Sequence, residues 1–213
     1  PSDRVDERSA HTNTREYTPV QREPGFTLDA RKVLGATDAT TRMSFLCSPN
    51  NPAGNLRDGA EIQKILDTVP GITVIDEAYI DFASTPSLIL LLAEYPRLVI
   101  LQTHSKAWGM AGLRLGLAFA DPQIIATMSR VEYPYNINGI TQRIVREQPP
   151  DPETVWREVR EIKAEREALI PLLQDLPLIK AVCPTDANFI LVRVDDPRKV
   201  YNALLREGII VRD

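Results

Sequence analysis

The sequence predicts an α/β fold, with a mostly parallel sheet between two layers of helices, followed by part of a smaller α+β unit. Three observations point there: short apolar runs alternate with helical patterns, the apolar runs are nearly continuous, and three of them end in polar loops. Continuous apolar strands suit a parallel sheet covered on both faces, whereas a sheet wetted on one side alternates apolar with polar. The expected division is 1–150 for the larger unit and 151–213 for a connecting helix with the start of the smaller one.

Residues 1–22 are polar and without clear period, which predicts loop with a short strand near Glu16–Val20. "TLDARKVL" predicts a short helix whose first turn is supported by Asp29. "RMSFLC" reads as a strand running into the loop "SPNNPAGN", because Pro, Asn and Gly terminate extended runs. "RDGAEIQKIL" places Ile62, Ile65 and Leu66 at helical spacing, and "GITVIDEAYIDF" supplies a buried strand through Ile75. "PRLVILQ" and "LRLGLAFA" are two further strands, and "PQIIATMSRV" is a helix with Pro122 in its first turn. The prolines of "EQPPDPETV" mark a boundary. A long amphipathic helix from about Pro152 to Leu176 follows, with Val155, Val159, Ile162, Leu169, Leu173 and Leu176 along one stripe. "NFILVRV" predicts a strand, "PRKVYNALLREG" a helix closed by Gly208, and "IIVRD" a final strand.

Composition narrows the function classes. The 213 residues carry a formal net charge of -4, so no basic field is present to attract nucleic acid or an anionic membrane surface. The longest apolar run, "LILLLA", is far shorter than the ~20 residues of a membrane-spanning helix. Two cysteines, Cys47 and Cys183, lack metal-ligand spacing and argue against a disulfide scaffold, so the expected setting is cytoplasmic with no metal. The chain starts at Pro1 and stops as a strand-like run ends, so both ends read as cut.

In parallel sheets, ligands gather at the carboxyl ends of strands. Loops "SPNNPAGN", "DEAYIDF" and "THSK" all start there, so they are expected to share one crevice. Considered alone, Lys106 is a solvated surface residue, Asp76 a turn-forming acid, Tyr79 a core aromatic and Asn51 half of an Asn-Pro turn. Placed together they acquire chemistry. A desolvated lysine attacks carbonyls, and a carboxylate ending a buried strand calls for a cationic or hydrogen-bonding partner such as a protonated pyridine nitrogen. Thr103, Ser105 and Arg114 offer two hydroxyls and a guanidinium to a phosphate dianion.

The ordered set "SPNNPAGN", "VIDEAYIDF", "THSKAWGMAGLRLG" and "YPYN" resembles the fold-type I, pyridoxal-phosphate-dependent aminotransferases, and within them the branch that acts on histidinol phosphate. The similarity runs from about Arg15 to Asp213. It implies that Lys106 carries pyridoxal 5'-phosphate covalently and shuttles the substrate proton, and that Asp76 pairs with the pyridine nitrogen. Tyr79 and Asn51 are implied to bond the phenolic oxygen, and Thr103, Ser105 and Arg114 to hold the phosphate. Arg212 would contact the phosphate or carboxylate of the amino donor, and Tyr135 would reach across a homodimer interface. His104 stands where the family often has an apolar residue and reads as tolerated variation. The implied partners are a small-molecule amino donor and a 2-oxo acid. Other transaminases and phospho-amino-acid decarboxylases of this fold share these motifs, and an incompetent fragment is the remaining alternative. The small-residue phosphate loop, the ring-stacking aromatic and the second substrate arginine are expected outside these residues, which would leave apolar sheet surface open.

Overall fold

The computed structural model describes residues 4–23 and 25–212. Four strands form one sheet in the order β1 (Met43–Cys47), β2 (Ile72–Asp76), β3 (Leu98–Thr103), β4 (Gly116–Ala120). The first three are parallel and β4 is antiparallel to β3, as the expected mostly parallel sheet requires. Register places Cys47, Asp76, Leu101 and Ala118 in one row across all four strands, so their side chains leave the same face.

Helix α1 covers Arg4–Thr12, and α2 (Ala30–Gly35) starts at Asp29, whose carboxylate accepts the Arg31 amide N–H at 2.9 Å. Helix α3 (Gly59–Thr68) is capped by Asp58 and turns Ile62, Ile65 and Leu66 onto the sheet. There they bury against Leu46, Ile75, Leu98 and Ile100, with Ala30 and Val33 of α2 filling the edge. Each fully buried aliphatic side chain contributes roughly 1.5–3 kcal/mol, so this layer holds the sheet in register. On the opposite face Val74 and Val99 are buried, but Met43 and Phe45 of the edge strand are 48% and 51% exposed. The expected open apolar surface is thus present at β1.

Helix α4 (Pro122–Val131) starts with Pro122 under an Asp121 cap and packs beside β4. Helix α5 (Gly139–Glu147) follows, then the long α6 (Pro152–Gln174). Only the first part of the α6 stripe is covered: Val155 and Val159 join Tyr79, Phe82, Ala107 and Ala187 in a second core, while Ile162, Leu169 and Leu176 stay exposed. This second core draws on residues from both sides of position 150. Strands β5 (Ile179–Val182) and β6 (Val192–Val194) pair antiparallel, and α7 (Pro197–Arg206) is followed by Gly208 at a φ of 76°. Among the described residues no helix is long and apolar enough to cross a membrane, and no cluster of metal-ligating side chains occurs.

The departures have local causes. Residues 16–20 form no strand, since no neighbouring strand pairs with them, and Val20 packs on the first core as coil. Residues 1–3 of the expected N-terminal loop lie outside the described part, while 4–12 are helical. "IIVRD" is likewise coil, with Ile209, Ile210 and Val211 exposed and Asp213 outside the described residues, because no strand among the described residues takes it as an edge. Helix α5 was not among the expected elements; Asn138 caps it, its side chain accepting the Thr141 amide N–H at 2.9 Å.

Candidate active site

Three polar loops leave the carboxyl ends of β1, β2 and β3 side by side, and the sheet register decides what they bring together. The loop after β1 holds Asn51, whose Nδ2 donates to the Tyr79 hydroxyl at 2.9 Å. Tyr79 stands on the turn after β2, just before the 3-10 turn Ile80–Phe82, with its ring buried and the Phe189 ring at 84° to it, centroids 5.2 Å apart. From the turn after β3, the Lys106 ammonium reaches over that ring, 5.0 Å from its centroid. One phenol therefore meets an amide at its hydroxyl and a cation over its face.

Asp76 ends β2 half-buried, on the face shared with Cys47 and Leu101. Its Oδ1 accepts the Ala78 amide N–H at 2.9 Å, so it shapes the turn that presents Tyr79. The Thr103 and Ser105 hydroxyls lie 2.9 Å apart, with Thr103 Oγ1 also accepting the Ser105 amide N–H at 3.1 Å. That pair forms a compact hydroxyl seat one and three residues from Lys106.

Other expected residues stand apart. Arg114 is exposed, adopts a left-handed backbone with a φ of 54°, and its guanidinium donates to the Ala111 carbonyl rather than turning to Thr103 or Ser105. Tyr135 is 95% exposed on the loop before α5, also at positive φ. Arg212 lies exposed in the C-terminal coil, with no hydrogen bond or ion pair among the described residues.

The structure also adds residues that motif reading passed over. Glu77, beside Asp76, is 1% exposed on the opposite face and accepts from Ser87 Oγ at 2.5 Å, the Leu88 amide at 2.8 Å and Gln102 Nε2 at 3.0 Å. A buried carboxylate with three donors anchors the segment after β2 to β3. Its only signal in the sequence was a second acid directly after a buried strand. Arg57 lies buried in the loop after β1, donating to the Cys47 and Phe26 carbonyls, and burial pushes its guanidinium down to about 10, with the like charge of Arg22 adding to the effect. Arg22 in turn donates to Asn50, next to Asn51. Gly54 closes the same loop at a φ of 82°, against Thr185, and its carbonyl accepts the Asp186 amide at 2.8 Å. Any side chain there would run into Thr185, so this close approach requires glycine.

An amine, a phenol with its amide, a strand-end carboxylate and a hydroxyl pair are suited to an aldehyde-bearing, nitrogen-containing aromatic phosphate. The aldehyde can react with the amine, a ring nitrogen can pair with the carboxylate, and the hydroxyls can bond phosphate oxygens.

Known proteins bear on this arrangement. The family profile described as aminotransferase class I and II matches residues 7–213. A histidinol-phosphate aminotransferase of Parabacteroides distasonis is 46% identical over 213 residues, covering 100% of this chain and 62% of its own length. The crystal structure of the histidinol-phosphate aminotransferase from Clostridium acetobutylicum superimposes with a TM-score of 0.89 at 25% identity, covering 97% of this chain and 64% of that one. The histidinol-phosphate aminotransferase of Sinorhizobium meliloti, solved in complex with pyridoxal-5'-phosphate, gives 0.87 at 20% identity over 99% of this chain and 59% of its own, a likeness of fold alone. The chain thus spans about three fifths of the length of these proteins. With the match extending over nearly every residue, the chain belongs to the class I and II aminotransferase family.

Proposed function

We propose that this chain forms part of an enzyme that moves an amino group from L-histidinol phosphate to 2-oxoglutarate, yielding imidazole-acetol phosphate and L-glutamate in histidine biosynthesis, with pyridoxal 5'-phosphate as cofactor. The observation that carries the reading is Lys106 Nζ over the Tyr79 ring, with the Tyr79 hydroxyl held by Asn51. The name and 46% identity of the Parabacteroides relative support the choice of donor.

When bound, pyridoxal phosphate supplies an electron sink that stabilises negative charge at the amino donor's α-carbon. The protein's part is orientation and proton handling. Asp76, a carboxylate on the crevice face, favours a protonated ring nitrogen by its charge. Tyr79 and Asn51 direct hydrogen bonds at the phenolic oxygen. Thr103 and Ser105 bond the phosphate, and Arg114 joins them by turning its exposed guanidinium inward. Lys106 Nζ holds the cofactor, and as a free amine takes the proton from the donor's α-carbon. Arg212 binds the anionic end of the donor, and Tyr135 contributes from the neighbouring subunit of a cytoplasmic homodimer. In this reading 1–150 is the cofactor-binding part, and 151–213 the connecting helix with part of a smaller domain.

The test is a donor panel on the enzyme containing this chain, reading glutamate formed from 2-oxoglutarate. The proposal expects L-histidinol phosphate to exceed aromatic and acidic amino acids in kcat/KM by at least about 100-fold, the discrimination that bonding a substrate phosphate supplies. A stronger preference for another donor would assign another aminotransferase, and release of carbon dioxide from a phospho-amino acid would assign a decarboxylase.

A further inference from the structure

We propose that Asp186, in the turn between β5 and β6, is a positioning residue that latches the Asn51 loop and so sets where Asn51 meets the Tyr79 hydroxyl. The inference rests on the reading of Asn51 and Tyr79 as the pair that bonds the phenolic oxygen of pyridoxal phosphate. Asp186 grips the loop twice: its amide N–H donates to the Gly54 carbonyl at 2.8 Å, and its Oδ2 accepts the Leu56 amide N–H at 2.9 Å. The two bonds flank Asn55, and the second joins residues 130 apart in sequence.

Asn55 closes the loop that carries Asn51. Its carbonyl accepts the Asn50 amide N–H at 3.1 Å, and Gly54 N–H donates back to the Asn50 carbonyl at 2.5 Å. Holding residues 54–56 therefore holds Asn50, the chain neighbour of Asn51. The approach leaves no slack, because a Cβ on Gly54 would meet Thr185 Oγ1 at 2.3 Å. Arg57 secures the same loop to the Cys47 and Phe26 carbonyls, whereas Asp186 secures it to the segment packed on Tyr79.

That segment also holds the phenol. The Phe189 ring lies against Tyr79, and Ala187 is fully buried in the core that contains Tyr79 and Ala107. The turn is braced from within: Thr185 Oγ1 donates to the Phe189 carbonyl at 2.8 Å and accepts the Ala187 amide N–H at 3.2 Å. Arg166 of α6 ties it down from outside, donating to the Ala187 carbonyl at 2.8 Å. One turn thus touches the loop of the amide through Asp186 and the phenol ring through Phe189. Hydrogen bonds weaken steeply when misaligned, and a shared brace keeps the Asn51 Nδ2 and the Tyr79 hydroxyl in line at 2.9 Å.

The experiment compares Asp186→Ala and Asp186→Asn with the parent in the enzyme containing this chain. One readout, taken without cofactor, is amide hydrogen exchange of peptides spanning residues 50–57, with peptides over β2 and β3 as the reference. The other is the pH midpoint at which the visible band of bound pyridoxal phosphate changes. Asp186→Ala keeps the backbone bond to Gly54 but leaves the Leu56 N–H without its acceptor. Its exchange at 50–57 should rise roughly tenfold, in line with loss of a hydrogen bond to a charged group, while the reference peptides keep the parent rate. Its midpoint should rise by at least about half a unit, since donors aimed at a phenolate favour the charged form and misplacing them lets the proton stay to higher pH. Asp186→Asn should stay within about threefold of the parent in exchange and keep its midpoint, because the amide oxygen still accepts from Leu56. Unchanged exchange at 50–57 in Asp186→Ala overturns the latch, and so does a rise of equal size in the reference peptides, which is a general loss of stability. Faster exchange with an unmoved midpoint also overturns the proposal, because the loop is then braced without positioning Asn51. A parent that develops no visible band overturns the cofactor reading instead, while exchange at 50–57 still decides the latch.

Discussion

Replacing Glu77 by alanine is expected to be among the most damaging single changes near the site, although the residue contacts no expected ligand. The carboxylate accepts from Ser87 Oγ, the Leu88 amide and Gln102 Nε2 at 2.5, 2.8 and 3.0 Å. At about 1.5–3 kcal/mol for each bond to a charged group, simple addition would give roughly 4.5–9 kcal/mol. That sum overshoots, because Gln102 Nε2 also lies 3.1 Å from Ser87 Oγ, and those two can satisfy each other once the acid is gone. Only the Leu88 N–H is stranded, at a cost of about 1–3 kcal/mol, and the emptied space adds a cavity term of order 1 kcal/mol. The expected loss is therefore about 3 kcal/mol, close to what removing one partner of a buried charged network costs. Urea denaturation reads it as a midpoint lowered by roughly 1–2 M at unchanged slope. Glu77→Gln should lose only about 1 kcal/mol, since its carbonyl still accepts from Leu88 and the Gln102 amide can turn its oxygen inward. A loss under about 1 kcal/mol for alanine, or equal losses for both variants, would refute the donor accounting.

Two further outcomes follow from the same geometry. Gly54→Ala should destabilise by at least about 2 kcal/mol, from left-handed strain plus the clash with Thr185, and lower the melting temperature by roughly 4–8 °C; an unchanged melting temperature contradicts the close approach. Asp81 has its carboxyl raised above the ordinary 3.8, burial being the largest cause. The folded state therefore binds its proton more tightly than the unfolded chain, and stability falls as pH rises from about 4 through the raised value. Asp81→Asn should remove that fall and match or exceed the parent in melting temperature at neutral pH; a variant whose pH–stability curve overlays the parent's would show that the acid is not withdrawn from water.

The strands were legible because their signals are local. "SFLC", "ITVID" and "LVILQ" are compact apolar runs bounded by turn residues, and all became neighbouring strands. The convergence of the three loops was legible for a related reason: a parallel sheet places successive strand ends side by side, so motifs distant in sequence converge without any tertiary detail. Asn51, Tyr79 and Lys106 meet as expected. What stayed hidden depends on partners. "IIVRD" has the composition of a strand, but a strand needs an edge to join. Glu77 and Asp81 look like any acids in a polar turn until the fold shows that one faces three donors and that burial pushes the carboxyl of the other up. Arg114, five residues after Gly109 in a glycine-punctuated segment, bonds its own turn, a choice that no spacing announces.

Lys106 is proposed as the residue on which pyridoxal phosphate is held. Incubation with pyridoxal phosphate, borohydride reduction and peptide mapping test it directly, with Lys106→Ala as the control. One dominant reduced adduct is expected on the Lys106 peptide, absent from the alanine variant. Adducts spread over surface lysines in proportion to exposure, or a dominant adduct that survives Lys106→Ala, would contradict it.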